Sequence, residues 1–323
     1  MKGMVRLLLA TAMGLAAIST SLAQSYPDRP VTLVVPYPPG GTTDLVGRIV
    51  AHTLSKELGQ PVVVENAPGA AGMIGMNRVA RAKPDGYTLG WGLNGPTTVV
   101  PYMVKMPLYD PAKAFVPVGL VSTSSYLMVA RPDLGVSSLA ELIAKAKTAP
   151  GKYTYGSIGI GSSTHLMTEL LMSAANIDLL QIPYKGEADT IRALLGNEID
   201  LTWLTLQSGA PLVESGKVKG VFTTGPDREP NLPGVATLAE SGRPDLTAET
   251  FFGVLAPTGT PQTIIETLNE AMKNAATNAE YVAALEKVGL KPTSSTPEQF
   301  GALLNRHQRR WIDLIKARNI VAE

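Results

Sequence analysis

Two short segments of the chain combine glycine with consecutive hydroxyl residues at the expected start of a helix. The first reads Gly-Gly-Thr-Thr-Asp-Leu (residues 40–45) and the second reads Gly-Ser-Ser-Thr-His-Leu (161–166). The first amides of a helix lack internal partners and lie at the positive end of the helix dipole, so such a corner can bind an anion. Serine and threonine also cap helices when nothing binds, and that alternative stays open. The recurrence of the corner in one chain favours the anion site.

Residues in and beside the corners have expected roles of their own. Pro39 stiffens the approach to the first corner. Asp44 is expected to stabilise its own helix, with Arg48 as its partner four residues on, and a contact with the ligand is the alternative. His165 lies in a first helical turn, where the dipole favours a neutral imidazole. It either donates a ring N–H to a ligand or makes a structural hydrogen bond.

Several kinds of chemistry are missing from the sequence. It has no Gly-x-Ser-x-Gly elbow, no Gly-x-x-x-x-Gly-Lys-[Ser/Thr] loop and no Gly-x-Gly-x-x-Gly fingerprint. It has no cysteine, and His52, His165 and His307 are far apart, so a zinc site is not expected. We therefore expect a binding protein without cofactor or metal, and not an enzyme. An exported enzyme of unrecognised type is the alternative.

The first 23 residues read as a secretion signal. Lys2 and Arg6 flank the start of an apolar run (7–17) that is too short to span a bilayer, and small residues precede Gln24 at a typical cleavage site. A membrane anchor is the alternative. Without this segment the chain has 26 basic and 27 acidic residues, which gives no basic excess for binding nucleic acid or an anionic membrane. The sequence thus predicts an exported globular protein.

Strand-like and helix-like segments alternate along the rest of the chain. Residues 30–37 are apolar and β-branched, and residues 44–59 have a charged and an apolar side. The pattern restarts near residue 119, and a third β-like run begins at residue 250. Such alternation predicts an α/β fold in which helices cover both faces of a parallel sheet. The restart predicts two similar lobes that face each other across a cleft.

Longer motifs connect the chain to a known family. The sequence resembles the Bug receptors, the extracytoplasmic solute-binding components of tripartite tricarboxylate transporters, over essentially the whole mature chain. The motifs that carry the resemblance are YPDRPVTLVVPYPPGGTTD, GQPVVVENAPGAAGMIG, KPDGYTL, APGKYTYGSIGIGSSTHL, IPYKG, LPGVATLAESG and FFGVLAPTGTP.

The resemblance implies a two-lobed Venus-flytrap fold of the type II periplasmic-binding class. The first lobe would comprise residues 24–121 and 246–296. The second would comprise 122–245, with a C-terminal helix (297–323) packed across it. The implied function is a monomeric periplasmic receptor that grips a small organic carboxylate through backbone groups, hydroxyls and waters and delivers it to the transporter's permease. A receptor that feeds a sensor kinase is the alternative, and the acid can carry one, two or three carboxylates and be aliphatic or aromatic.

The chain departs from the family at two places that face the implied cleft. The family often has Phe-Asp-Asn where this chain has Trp203, Leu204 and Thr205, so an acid that would contact an amino or hydroxyl group of the ligand is missing. The segment with Asn94 and Thr97 also differs and is interpreted as shaping specificity.

Three aromatic residues, Tyr37, Trp203 and Phe251, are interpreted as the lining of an aromatic slot, with ordinary core packing as the alternative. Together with the two corners they complete the predicted site. The predicted ligand-binding residues are Tyr37, Pro39, Gly40, Gly41, Thr42, Thr43, Asn94, Thr97, Ser157, Gly161, Ser162, Ser163, Thr164, His165, Tyr184, Trp203, Thr205 and Phe251.

Overall fold

The computed structural model describes residues 26–318 except 226, 248 and 289. The predicted signal peptide and the end of the predicted C-terminal helix lie outside these residues. Strands and helices alternate within the described part, so the predicted α/β class is confirmed. The strands are β1 (Val31–Val35), β2 (Val62–Asn66), β3 (Thr88–Gly92), β4 (Phe115–Ala130), β5 (Thr154–Ser157), β6 (Leu180–Pro183), β7 (Leu201–Thr205), β8 (Lys219–Thr223), β9 (Glu249–Pro257) and β10 (Lys291–Pro292).

The helices cover the sheet and connect its strands. Short helical turns of other types lie at 70–72, 95–102, 132–134 and 244–246. The α-helices are α1 (Thr42–Leu58), α2 (Met73–Ala80), α3 (Pro111–Ala114), α4 (Leu139–Thr148), α5 (Ser163–Ala175), α6 (Glu187–Leu195), α7 (Leu206–Glu214), α8 (Gln262–Thr277), α9 (Ala279–Lys287) and α10 (Pro297–Arg318). Within the described residues, no helix combines the length and apolar character that a membrane span requires.

The sheet is mixed and continuous through both lobes, with strand order β2-β1-β3-β9-β4-β7-β5-β6 and with β8 and β10 also paired to β4. As predicted, β1 lies parallel to β2 and β3 in the first lobe, and β5 lies parallel to β6 and β7 in the second. The prediction of parallel strands alone is wrong for β4 and β9, which are antiparallel to their neighbours. The reason is connectivity, because β4 leads the chain out of the first lobe and β9 leads it back.

Strand β4 joins the two lobes. Residues 115–125 pair with β9, whereas residues 126–130 pair with β7 and β8. Tyr126 is therefore the residue at which the partner strand changes, and its pairing partner across the ladder is Thr205. A side chain at this position lies between the two lobes.

Each lobe has its own hydrophobic core, and α10 contributes to both. In the first lobe, Leu33, Leu54 and Trp91 are fully buried in one cluster. Phe300 on α10 packs against Phe251 of β9, whereas Trp311, more than ten residues later on α10, belongs to the core of the second lobe. The C-terminal helix thus contacts both lobes and not only the second, with which the sequence had associated it.

Candidate functional site

The two predicted corners lie at corresponding places in the two lobes. Strand β1 ends at Val35 and α1 begins at Thr42, while β5 ends at Ser157 and α5 begins at Ser163. Each of these strands has parallel neighbours. Ligands of open α/β sheets bind outside the carboxyl ends of the strands, which is where both corners lie.

The first corner offers hydrogen-bond donors to solvent. Gly41 precedes α1 with φ −88° and ψ 171°, and no side chain caps the helix. Pro39, Gly40 and Gly41 are exposed, and Thr42 and Thr43 are partly exposed. Within the described residues, no hydrogen bond uses the hydroxyl of Thr42 or Thr43, and the first helical amides have no intrahelical acceptor. These groups are placed to receive an anion.

Asp44 organises the first corner from behind. Its carboxylate accepts hydrogen bonds from the Gly40 amide at 3.0 Å, from Arg48 Nε at 3.0 Å and from Asn66 Nδ2 at 2.9 Å. Burial alone would raise the pKa of Asp44, but the bonds from Arg48, Gly40 and Asn66 outweigh it and hold the pKa below its ordinary value. The predicted Asp44–Arg48 pair is confirmed. The Gly40 amide, predicted as a ligand donor, is instead directed at Asp44.

The second corner satisfies its own polar groups. Ser162 Oγ caps α5 by accepting from the His165 amide at 3.3 Å and donates to the Gly159 carbonyl at 2.6 Å. Thr164 Oγ1 accepts from the Ile158 amide at 3.0 Å. Ser162, Ser163, Thr164 and His165 are all at least 91% buried. The predicted equivalence of the two corners therefore holds for the backbone and not for the hydroxyls of Ser162 and Thr164, whose bonds shape the loop.

His165 closes the second corner as Asp44 closes the first. The Gly161 amide donates to His165 Nδ1 at 3.1 Å, so the neutral ring carries its proton on Nε2, which lies 3.7 Å from Glu169 Oε1. Burial lowers the pKa of His165 to about 4. The imidazole is therefore neutral as predicted, although burial is the cause. Both ring nitrogens face groups of the protein, which favours the structural alternative for this residue.

Tyr126 is a site residue that the sequence did not predict. It is 92% buried, and the hydroxyls of Thr250 and Ser163 lie near its phenol. Burial raises the pKa of Tyr126 although these two hydroxyls lower it, and the charge of Glu187 raises it further. Burial raises the pKa of Tyr37, and the charge of Tyr126 raises it further, which indicates that the two side chains lie near each other. The sequence around Tyr126 contains no local pattern that would mark it as a site residue, since its position between the lobes follows from where β4 changes its partner strands.

Asn94 and Thr97, two predicted site residues on the segment after β3, differ in whether their polar atoms are already bonded within the protein. The Thr97 hydroxyl donates to the carbonyl of Leu93 in its own turn and is not available to a ligand, which corrects the prediction for this side chain. Asn94 is 97% buried and its Nδ2 donates to the Glu249 carbonyl at 3.2 Å. Asn94 Oδ1 is buried without a hydrogen-bond partner among the described residues. Asn94 is therefore held from one end of its amide group by Glu249, and its other end is an acceptor that none of the described residues uses.

The predicted aromatic slot is wrong for two of its three members. Trp203 is 98% buried in the second lobe, where its Nε1 donates to Thr168 Oγ1 at 2.8 Å. The void beside it measures about 10 Å³, too small for an organic acid. Phe251 is fully buried against Phe300. Both side chains pack inward because they lie on the covered faces of their strands, and the third member, Tyr37, is partly exposed and packs against the core of the first lobe.

Ser157 and Tyr184 lie at the ends of β5 and β6. The Ser157 side chain is fully buried and accepts from Gln181 Nε2 at 2.7 Å. The Tyr184 amide donates to the Ser157 carbonyl at 2.8 Å, and its ring packs against the hydrophobic cluster of Leu127 and Leu204. These two residues support the second corner through packing and strand pairing.

Thr205 precedes α7, whose first turn holds a carboxylate of the chain itself. Glu187 Oε1 accepts from the Thr205 amide and from Ser208 Oγ at 2.6 Å each, and from Thr205 Oγ1 at 3.1 Å. The predicted site residue Thr205 therefore donates to Glu187. The sequence did not single out Glu187, because its partners are roughly 20 residues away and meet it only because β6 and β7 both pair with β5.

A cleft of about 480 Å³ opens between the lobes beside the first corner. Thr42 and Leu45 of α1 line one side and Leu206, Gln207 and Ser208 of α7 line the other. The open donors of the first corner and the Glu187-capped start of α7 therefore face one space. The remaining lining residues are Ala210, Pro211, Glu229, Asn231, Glu286, Lys287 and Val288.

Comparison with known proteins places this geometry in a family. The family model described as "Tripartite tricarboxylate transporter family receptor" matches residues 46–320. The chain belongs to this receptor family. The resemblance to the Bug receptors is thereby confirmed, since the structure of the periplasmic binding protein BugD superposes with a TM-score of 0.80 at 34% identity and covers 92% of this chain and 100% of BugD.

Two further relatives of the receptor carry ligands. Rpa4515 of R. palustris with adipate gives a TM-score of 0.82 at 33% identity, covering 92% of this chain and 99% of that protein. MatC (Rpa3494) of Rhodopseudomonas palustris with bound malate gives 0.80 at 30% identity, covering 90% and 100%. This receptor therefore shares the fold of periplasmic solute-binding proteins.

Proposed function

We propose that this protein is a periplasmic receptor that captures a small organic carboxylate between its two lobes and delivers it to the membrane permease of a tripartite tricarboxylate transporter. The observation that carries the proposal is the uncapped start of α1. Open amides and the hydroxyls of Thr42 and Thr43 meet there at the positive end of a 17-residue helix, on the wall of the cleft. A helix N-terminus of this kind binds a carboxylate without a counter-cation.

The charges around the first corner support this mode of binding. Neither corner segment contains lysine or arginine. The nearest cation on α1, Arg48, pairs with Asp44 at 3.0 Å and neutralises the buried carboxylate behind the loop. The ligand's charge is then matched by backbone and hydroxyl donors. Two relatives with bound dicarboxylates support an organic acid as the ligand class, and the family's name supports the permease as the partner.

The second lobe contributes when the cleft closes. Tyr126, with the hydroxyls of Ser163 and Thr250, lies where the two lobes meet on β4. An acid held at α1 would meet this hydroxyl cluster from the other side. The proposal is binding without turnover, so a captured acid is expected to be recovered unchanged after long incubation with the purified protein.

A thermal-shift screen of organic acids followed by calorimetry tests the proposal. A true ligand raises the unfolding midpoint in a concentration-dependent way. For the best acid, the primary amide of the same skeleton is the matched control, because it keeps the shape and removes the charge. We expect the acid to bind at least roughly 100-fold more tightly than the amide. Equal affinities, or no binding by any acid, would contradict the proposal. Cotranscription with a sensor kinase instead of a permease would overturn the delivery step alone.

A further inference from the structure

The second lobe presents a filled anion position to the cleft. Among the helices that follow β5, β6 and β7, α7 has its first turn occupied by the Glu187 carboxylate. Glu187 Oε1 takes three hydrogen bonds from Thr205 and Ser208, while Oε2 has only a long contact of 3.4 Å with Thr205 Oγ1. A carboxylate of the protein thus lies where a second carboxylate of a ligand would gain the most from a helix terminus.

Glu187 lies close to the proposed ligand position. Its partner Ser208 lines the same cleft as Thr42 of the first corner. Its other partner, Thr205, pairs across the ladder with Tyr126, whose hydroxyl lies near those of Ser163 and Thr250. An acid held at the start of α1 therefore extends toward a wall that bears Glu187.

Other groups around the cleft share the acceptor character of Glu187. Among the described lining residues the charged ones are Glu229, Glu286 and Lys287, which leaves an excess of one negative charge. Asn94 Oδ1, on the segment after β3, is a further acceptor that is buried without a partner among the described residues, and Asn94 is bonded to Glu249, the neighbour of Thr250. The donors at α1 thus face the Glu187 carboxylate across a cleft with a net negative lining.

We propose that Glu187 determines specificity, selecting a monocarboxylate whose far end carries a hydrogen-bond donor, a hydroxyl or an amine, over a dicarboxylate of the same length. This inference rests on the proposed function. The ligand's carboxylate binds the first corner, and its far donor meets the Glu187 carboxylate. A second carboxylate at that end would be repelled by Glu187.

Calorimetry with matched pairs of acids tests the inference on the full mature chain. The pairs are succinate with 4-hydroxybutanoate and adipate with 6-hydroxyhexanoate, and 6-aminohexanoate extends the second pair. In the wild type we expect a hydroxy or amino acid to bind at least roughly 10-fold more tightly than its diacid partner. Glu187→Gln keeps an oxygen that accepts from Thr205 and removes the charge, so it is expected to lower that ratio by about 10-fold.

Asp189→Asn is the matched control. Asp189 lies in the same helical turn as Glu187 and pairs with the exposed Arg192, so the substitution changes net charge equally without touching the cleft wall. It is expected to leave the ratio unchanged. If Glu187→Gln does not fold, the wild-type ratio alone decides. Diacids that bind as tightly as their partners, or an unchanged ratio in Glu187→Gln, would overturn the inference while the proposed function stands. Failure of every acid to bind would overturn both.

Discussion

The two glycine corners share one backbone device but differ in what they leave for a ligand. In each, a glycine amide donates to the side chain four residues on, Gly40 to Asp44 and Gly161 to His165. The first corner is exposed, with its helix uncapped, whereas the second is buried and capped by Ser162. The repeated Gly-Ser/Thr motif therefore indicates the same glycine-amide hydrogen bond in both loops. The burial of each loop decides whether its remaining hydrogen-bond donors are available to a ligand.

The closing side chains match these two environments. Asp44 keeps its charge because Arg48 lies at 3.0 Å on the same helix. His165 Nε2 lies 3.7 Å from Glu169 Oε1, but burial lowers the pKa of His165 to about 4 and the imidazole stays neutral. A neutral acceptor suits a buried loop, since burying a charge is costly. The comparison predicts that substitutions in the second corner change stability and that those in the first change binding.

Gly161→Val should show the largest effect, on stability. Gly161 has φ +78°, a left-handed conformation, and a Cβ there would lie 3.0 Å from Met103 Sδ. Backbone strain and crowding should lower the free energy of unfolding by about 2–4 kcal/mol. Urea denaturation of the ligand-free protein measures this. A loss below about 0.5 kcal/mol would show that the second corner tolerates a side chain, and it would contradict the view that the second corner serves stability and the first serves binding.

Gly41→Val should show the opposite behaviour. Gly41 has φ −88°, the positive φ of this corner belongs to Gly40, and a Cβ on Gly41 meets nothing within 4 Å. The fold should therefore accept valine. The side chain would cover the open amides of α1, so the affinity for the best acid should fall about 100-fold, or roughly 2.7 kcal/mol. Calorimetry checks the affinity and a melting curve checks the fold, and an unaltered affinity would remove the first corner from the site.

Local patterns in the sequence account for much of the fold and for the corners, but not for what surrounds them. Strand and helix periods and the glycine–hydroxyl motifs act over a few residues, so they are readable in one chain. Tyr126 and Glu187 were missed because Tyr126 reaches Thr205 through pairing of distant strands and Glu187 reaches it with its side chain from the start of α6. Trp203 and Phe251 were misplaced because an aromatic side chain within a strand can face either the cleft or the core, depending on which face of the sheet it lies on.

His165→Asn should separate the two corners by pH. The folded pKa of about 4 lies below the ordinary 6.5, so between these values the unfolded chain binds more protons. Stability from this group is complete above pH 6.5 and is lost as pH falls toward 4. Asparagine keeps an acceptor for the Gly161 amide and does not titrate in this range. Between pH 7 and pH 4, the free energy of unfolding should fall by about 2 kcal/mol less in the variant than in the wild type, as measured by denaturant titration.

His307 contributes to the same pH window and remains in the variant. Burial, followed by the charges of Arg310 and Arg306, lowers its pKa to about 4. A residual loss of stability below pH 6.5 is therefore expected in His165→Asn. If the free energy of unfolding depended on pH in the same way in wild type and variant, the imidazole of His165 would be protonated in the folded protein without cost. That result would contradict a neutral His165 in the second corner.

Thr43→Val should have the smallest effect and should act on binding. The Thr43 hydroxyl makes no hydrogen bond within the described residues, and Gly41, not a side chain, caps α1. Valine is nearly isosteric, so the melting temperature without ligand should stay the same. The affinity for the best acid should fall by about 1–2 kcal/mol, the cost of losing one donor to a carboxylate. Thr164→Val is the matched control, because that hydroxyl accepts from the Ile158 amide at 3.0 Å and its loss should lower the melting temperature. If Thr43→Val lowered the melting temperature and left the affinity intact, its hydroxyl would serve the helix and the two corners would differ only in exposure.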